Sequence, residues 1–325
     1  MYVSVGCTLD SPLPHSSDGS PAGSQHAVTE ERRDWLQIAE AGSAFGIRFV
    51  VASMRILGRR GTGLILRIIA LYYVILYARV RRCSRAYLSR VLDEPIRLRH
   101  IFRHVFTFAR VTADRVLWIT GNQHCFEIKQ TGTEHLDEHA RTKQGALLLS
   151  AHFGSGEAFA AAMPPDGLRV NVAGYFGQAA LLHRLLGELS PTRNIHFLDL
   201  KRASLDSAML VRERVVAGEV IVLAADRTGL GEREVSANFF GNRKGFPAGP
   251  FILASILHCP VYFVAAVYSE PGKYHLYCQR LTTGLHSTRG GRDAAIELLA
   301  QDYAIILEKH CHAAPYNWFN FYDVW

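Results

Sequence analysis

The feature that most constrains this chain is an alternation of short apolar runs with helix-length segments. It begins near residue 146 and continues almost to the end. Ala146–Ser150, Val170–Ala173, His196–Leu198, Val220–Ala225 and Val261–Tyr268 read as strands. Glu157–Ala162, Ala179–Leu189, Ser204–Ala217 and Phe251–Leu257 read as helices between them, with stops at Ser190-Pro191 and Gly218. Strands that alternate with helices bury an apolar sheet under helices on both faces, which requires a largely parallel sheet. Tyr274–Gln279 follows Val261–Tyr268 across Glu270-Pro271-Gly272, so one strand pair is expected to be antiparallel. Phe126–Ile128 adds a short strand. Residues 96–120, where Ile101, Val105, Phe108 and Val111 follow helical spacing, add a helix, and Ala294–His310 closes the chain with a long one. The expected fold class is α/β: a mostly parallel mixed sheet flanked by helices, with an N-terminal membrane-associated helical segment.

That N-terminal segment is set apart by charge. The chain as a whole carries +7, which favours an anionic partner. Between Ala41 and Leu92 there are 10 arginines and no acidic residue, interleaved with Phe, Ile, Leu, Val and Tyr. The apolar run Ile68–Ala78, 11 residues long, is bracketed by Arg67 and by Arg79, Arg81 and Arg82. A spanning helix needs roughly 20 apolar residues. An in-plane or shallowly inserted helix fits better, with its arginines reaching to lipid phosphates. Arg79, Arg81, Arg82 and Arg85 would each add on the order of 1 kcal/mol of attraction to an anionic surface. The competing reading is a buried core helix with a solvated basic end. The segment is too apolar for nucleic-acid binding, and its aromatics lie in helix-like runs.

The expected organisation is therefore a disordered tail over 1–30, a membrane-associated segment over 31–95 and a catalytic domain over 96–325. The tail is rich in Ser, Pro, Gly and His. No basic stretch followed by an apolar core opens the chain, so the catalytic part is expected to stay in the cytoplasm. The 6 cysteines form no C-x-x-C pair, which fits a reducing compartment and argues against a zinc ribbon. His310-Cys311-His312 reads as a polar helix end rather than a metal site, because adjacent residues point in different directions.

The sharpest local feature is LLLSAHFGSGEAFAAA, residues 147–162. A strand runs into a turn carrying His152, two glycines follow, and a small-residue helix begins near Glu157. Sites of α/β sheets lie beyond the carboxyl ends of strands. Gly154 and Gly156 would let a substrate approach the backbone, and the helix start would favour developing negative charge. Glu157, five residues on, is expected to reach back to one imidazole nitrogen and leave the other as a general base. A structural histidine at a strand end is the alternative. Gly154-Ser155-Gly156 is not the nucleophile elbow of hydrolases, and the spacing is not that of a zinc helix.

A second block, residues 220–255, delivers Asp226 and Arg227 to a strand end. It continues through Phe239-Phe240-Gly241, Arg243, Lys244 and Phe246-Pro247-Ala248-Gly249-Pro250. Basic residues in an aromatic, glycine-rich setting suit a phosphate beside an apolar chain. Asp226 and Arg227 read equally well as a structural salt bridge, and Phe239, Phe240 and Phe246 as wall or core.

Together these blocks resemble the bacterial lipid A biosynthesis (lauroyl/myristoyl) acyltransferase family, within the glycerolipid acyltransferase superfamily. His152 and Glu157 match its H-x-x-x-x-D/E motif. Asp226, Phe239–Gly241 and Phe246–Pro250 match its later block, and Pro260 precedes a strand as in the superfamily's last motif. Trp35 through Arg59-Arg60 to Arg90 resembles the family's membrane-associated leading segment, so the likeness covers roughly residues 33–325. It implies acyl transfer from an acyl carrier protein or coenzyme A thioester to a hydroxyl of a lipid or glycolipid, at the cytoplasmic face of the inner membrane. His152 would be the base and Glu157 its orienting group. Gly154, Asp226, Arg227, Arg243, Lys244, Phe246 and Gly249 would contact substrate, and Arg67, Arg79, Arg81 and Arg82 the membrane. No metal or redox cofactor is implied. The superfamily's arginine-bearing motif falls on Arg184 or Arg193. The closing string from Pro315 to Asp323 resembles a sub-branch linked to aryl-polyene pigment lipids or other acylated lipids. A thioesterase or lipid hydrolase, and a non-catalytic membrane-binding protein, are the alternative readings.

Overall fold

A computed structural model describes residues 44–119, 121–162, 168–174, 195–200, 204–229, 232–285 and 290–325. The expected tail over 1–30, the helix Ala179–Leu189, and Arg184 and Arg193 lie outside the described residues. Three helical segments lead: α1 (Ala44–Leu76), which is kinked at the non-helical Gly58 (φ 62°, ψ −174°), α2 (Ala78–Val91) and α3 (Leu98–Ile119). They are followed by β1 (Glu127–Thr131), α4 (Glu134–Thr142), β2 (Ala146–Ser150), α5 (Gly156–Ala161), β3 (Val170–Gly174) and β4 (Ile195–Asp199). Next come α6 (Leu205–Val216), β5 (Val220–Ala224), β6 (Glu234–Phe239), β7 (Asn242–Pro247) and α7 (Ala248–Leu257). The chain closes with β8 (Val261–Glu270), β9 (Lys273–Thr282) and α8 (Arg292–Ala313).

Seven strands form one sheet in the order β1-β9-β8-β2-β5-β3-β4. Neighbours are parallel except β8 and β9, so the sheet is mixed and mostly parallel. β2 sits at its centre, and its run Ala146–Leu149 is wholly buried. Successive side chains alternate between faces. Leu147 and Leu149 enter the core that holds Phe251, Tyr303 and Trp318. Ala146 and Leu148 enter the opposite core, with Trp118, Phe159 and Tyr262. A central strand buried on both sides has no polar face to display, which is why it reads as a continuous apolar run rather than an alternating one.

β6 and β7, which the strand–helix alternation read from the sequence does not include, form an antiparallel hairpin. Its two-residue turn is Phe240-Gly241, with φ 52° and 70°, the left-handed pair that tight hairpins require. Glu308 of α8 accepts the Phe240 N–H at 2.5 Å, which fixes the non-glycine residue in that conformation.

The leading helices divide their surfaces. Leu66, Ala70 and Val74 of α1 are buried in clusters shared with Ile101, Val105 and Ala113 of α3. On its other side Leu64, Ile68, Leu71 and Ile75 are 50–70% exposed. No single described helix is long and apolar enough to cross a membrane, although Gly61–Leu76 and Ala78–Val91 together have the length and composition, as a pair bent by 95°. α2 buries Cys83, Ser84, Tyr87, Leu88 and Val91 and exposes Arg82 and Arg85. Arg81 instead donates to the carbonyls of Val74 and Ile75 at 2.8 and 2.6 Å, holding the bend.

Arg59 is the anchor of α1. It donates to both carboxylate oxygens of Asp114 at 3.1 and 3.0 Å and to the Cys125 carbonyl at 3.1 Å, and its guanidinium lies 4.5 Å from the Phe126 ring centroid. Tyr274 donates to the same carboxylate at 3.1 Å. Asp114 is 1% exposed, so removing Arg59 would strand a buried charge. Arg59→Ala is expected to destabilise the fold by about 3–5 kcal/mol, read as a lowered denaturant midpoint, whereas Arg82→Ala should leave the midpoint within about 0.5 kcal/mol.

Candidate active site

The carboxyl ends of β2 and β5 are neighbours, with Ser150 opposite Ala224 in register. The two turns that leave them therefore carry His152 and Asp226 side by side. The Asp226 carboxylate is fully buried. One oxygen accepts from His152 Nδ1 at 2.8 Å and from the His152 backbone N–H at 3.1 Å. The other accepts from Trp318 Nε1 at 2.9 Å and Asn320 Nδ2 at 3.3 Å. Burial by itself would raise this carboxyl's pKa. The imidazole, the Arg227 charge and the Trp318 N–H outweigh burial and hold it well below the usual carboxylate range. An ionised acceptor at Nδ1 fixes the proton there, so Nε2 carries the lone pair. The His152 side chain is 39% exposed. Burial lowers its pKa, Arg227 and then Arg115 lower it further, and Asp226 opposes them in part. The resting imidazole is neutral near pH 7.

This corrects the expected geometry. Glu157 does not reach back to the imidazole: its Oε1 pairs with Arg115 of α3 at 2.7 Å, and its Oε2 accepts from Ser155 at 3.3 Å. The reason is local. Ser155 caps α5, its Oγ accepting the Ala158 N–H at 3.1 Å, and the helix that follows turns Glu157 toward α3. The orienting carboxylate comes from 74 residues downstream instead.

Of the two glycines, Gly154 acts differently from expectation. Gly154 has φ 69°, and a Cβ there would lie 1.9 Å from the Ala266 carbonyl oxygen. Its lack of a side chain serves close packing against β8 rather than substrate access. At Gly156 a Cβ would meet nothing within 4 Å.

The remaining residues of the second block separate into two groups. Arg227 donates to Asn320 Oδ1 at 2.6 Å and to the Phe319 carbonyl at 2.7 Å, so its hydrogen bonds go to the closing segment rather than into a salt bridge with Asp226. Lys244 is buried and donates to the Asp226 carbonyl at 2.9 Å and the Gly245 carbonyl at 3.2 Å. Burial brings its pKa down to about 8. Phe246 is core, beneath the Lys244 ammonium at 3.8 Å. These residues support Asp226 from behind. Arg243 is exposed on the hairpin, paired in register with Asn238, and Gly249 is exposed in the first turn of α7. His310 and Cys311 are buried in α8, and His312 is turned to the Val91 carbonyl.

Sequence reasoning missed the closing segment. Asn317 to Asn320 strap across the site. Gly154 donates to the Asn317 carbonyl and Phe319 to the His152 carbonyl, each at 2.9 Å. The Asn317 side chain clasps the backbone of Tyr268 at 3.0 and 2.9 Å. A polar Asn-Trp-Phe-Asn directly after a long helix was the one signal for it. Arg115 left none, because helical spacing predicts a face and not a partner.

A partly exposed base held by a buried carboxylate at the carboxyl end of a parallel sheet is suited to activating a hydroxyl. The family model described as "Bacterial lipid A biosynthesis acyltransferase" matches residues 40–325. The chain belongs to that family, and is an acyltransferase acting on lipid acceptors. No individual curated protein matches it.

Gly154 and Gly156 give a direct check on this local geometry. Gly154→Ala should fail to fold or lose several kcal/mol, on the scale of forced strain beside a left-handed φ. Gly156→Ala should fold with a midpoint close to the parent's. Thermal unfolding of the two variants side by side measures the contrast.

Proposed function

We propose that the chain moves a fatty acyl chain from an acyl carrier protein or coenzyme A thioester to a hydroxyl of a lipid A-type or aryl-polyene lipid acceptor. The observation that carries this reading is the 2.8 Å bond between His152 Nδ1 and Asp226 beside a partly exposed imidazole. Nε2 takes the proton of the acceptor hydroxyl as its oxygen attacks the thioester carbonyl carbon. A C–O bond forms and a tetrahedral oxyanion results. The carbonyl re-forms as the C–S bond breaks, and the thiol leaves with the proton returned from the imidazolium. Asp226 steadies that imidazolium through Nδ1. Ser155, the nearby hydroxyl, is 1% exposed and committed to capping α5, which supports direct transfer without an acyl-enzyme.

The membrane setting rests on α1 and α2. The exposed stripe Leu64, Ile68, Leu71 and Ile75 would sit in the acyl layer, with Arg67, Arg79 and Arg82 near phosphates and Arg81 holding the bend. This supports in-plane attachment at the cytoplasmic face of the inner membrane. Replacing all four stripe residues by Asn should release the protein from phosphatidylglycerol-containing vesicles in a sedimentation assay while the fold is retained. Unchanged binding would overturn the anchor.

His152→Ala should abolish acyl transfer and leave the fold intact. Asp226→Asn should cost about 10²–10⁴-fold in turnover. Because the neutral imidazole is the active form and its pKa is lowered, kcat/KM should rise with pH through a midpoint below the ordinary value of about 6.5. Full activity of His152→Ala overturns the reading. Free fatty acid released without any acylated acceptor would make the protein a hydrolase.

A further inference from the structure

Acyl transfer creates a negative oxygen that neither His152 nor Asp226 can stabilise. At the start of α5, a helix only a turn and a half long, Ser155 already occupies the Ala158 N–H. Among the described residues, three cations flank the His152–Asp226 pair. Arg227 is spent on Asn320 and the Phe319 carbonyl, and Lys244 on the carbonyls of Asp226 and Gly245. Arg115 is different. It projects from α3, which packs on α5; its side chain is 48% exposed; and Glu157 holds it at 2.7 Å.

We propose that Arg115 is the cationic donor to the oxyanion of the tetrahedral intermediate, and that Glu157 serves the reaction as a positioning residue for Arg115. This rests on the acyl-transfer reading above. A guanidinium carries five N–H donors in a rigid fork. One end of the fork on Glu157 leaves donors at the other on a half-exposed side chain, held in place and in need of no reorganisation when charge develops. Glu157 stays ionised in that role. Burial alone would raise its pKa, but Arg115 and the Ser155 hydroxyl bring it down. Arg115 in turn helps keep His152 neutral, so the same guanidinium is placed to affect both the base and the oxyanion. The motif carboxylate thus acts through an arginine rather than through the histidine.

The experiment uses the full chain, lauroyl thioesters of coenzyme A and of acyl carrier protein as donors, and bacterial lipid extract as acceptor. Arg115→Ala should lower kcat by about 10²–10³-fold with KM little changed, and guanidinium ion added to the assay should restore part of the loss. The acid limb of kcat/KM should move to higher pH in Arg115→Met, because a positive charge beside the imidazole has gone. Glu157→Gln should lose about 10- to 100-fold, and the Arg115→Ala/Glu157→Gln double variant should be no worse than Arg115→Ala. Arg115→Lys, assayed alongside, keeps the charge and covers the case in which the alanine variant unfolds; it should retain more kcat than Arg115→Met. A raised KM with kcat intact would overturn the proposal and make Arg115 an acceptor-binding group. Multiplicative losses in the double variant would also overturn it, because Glu157 would then act independently. His152→Ala in the same assay separates the two claims: its full activity sinks the acyl-transfer reading itself, whereas its inactivity beside a fully active Arg115→Ala sinks only the oxyanion role.

Discussion

The structure depends on keeping one carboxylate, that of Asp226, charged and out of water. A buried ionised carboxylate is tolerated only when its lone pairs are filled. Here four donors fill them: two from His152, one from Trp318 and one from Asn320. Each donor imposes a piece of architecture. The His152 bonds require β2 and β5 to be adjacent and in register. The Trp318 and Asn320 bonds require the chain to return after α8 and lie across the strand ends. Lys244 and Arg227 then hold the backbone on either side, so the hairpin β6–β7 and the closing strap become parts of one support.

The strap carries the coupling outward. The Trp318 carbonyl accepts from His104 Nε2 at 2.8 Å, and His104 Nδ1 accepts from the Ser84 hydroxyl at 2.9 Å. His104 is wholly buried, and burial brings its pKa down to about 4, so it stays neutral and bridges without adding charge. Ser84 lies on α2, whose opposite side displays Arg82 and Arg85. A continuous series of hydrogen bonds therefore joins the arginine-bearing helix to the imidazole. The leading helices are tied to the site they precede, by His104 at one end and by Arg59 and Asp114 at the other.

The strand–helix alternation was legible because the buried runs of β2, β5 and β8 are almost wholly apolar, a pattern with few other solutions. The antiparallel β8–β9 pair was legible from Glu270-Pro271-Gly272. The hairpin β6–β7 was missed although Glu234, Ser236 and Asn238 alternate with Val235, Ala237 and Phe239, the period of a half-buried strand; the run is short and follows directly on the charged stretch 232–234. His152 and Asp226 were each visible as strand-end residues. Their pairing was not, because it depends on β2 and β5 being neighbours, a fact of topology that local spacing does not carry. Spacing pointed instead to Glu157, the nearer carboxylate. Arg115 lay out of reach for the same reason: its meaning comes from α3 crossing α5.

The two carboxylates thus differ by what each must hold. In the proposed reaction Asp226 faces a group that gains a proton, so it must be buried, ionised and rigid, and it draws its donors from two separate parts of the chain, His152 and the closing segment. Glu157 faces a group whose charge never changes, and an ion pair in a half-exposed setting is enough. The balance between them sets the chemistry of His152. Asp226 alone would favour a protonated imidazole, useless as a base near neutral pH. Burial first, then Arg227 and Arg115, tip it back to neutral without displacing the proton from Nδ1. An enzyme that activates a hydroxyl through a histidine needs both conditions at once: a fixed tautomer from the carboxylate, and a free lone pair from burial and the surrounding cations.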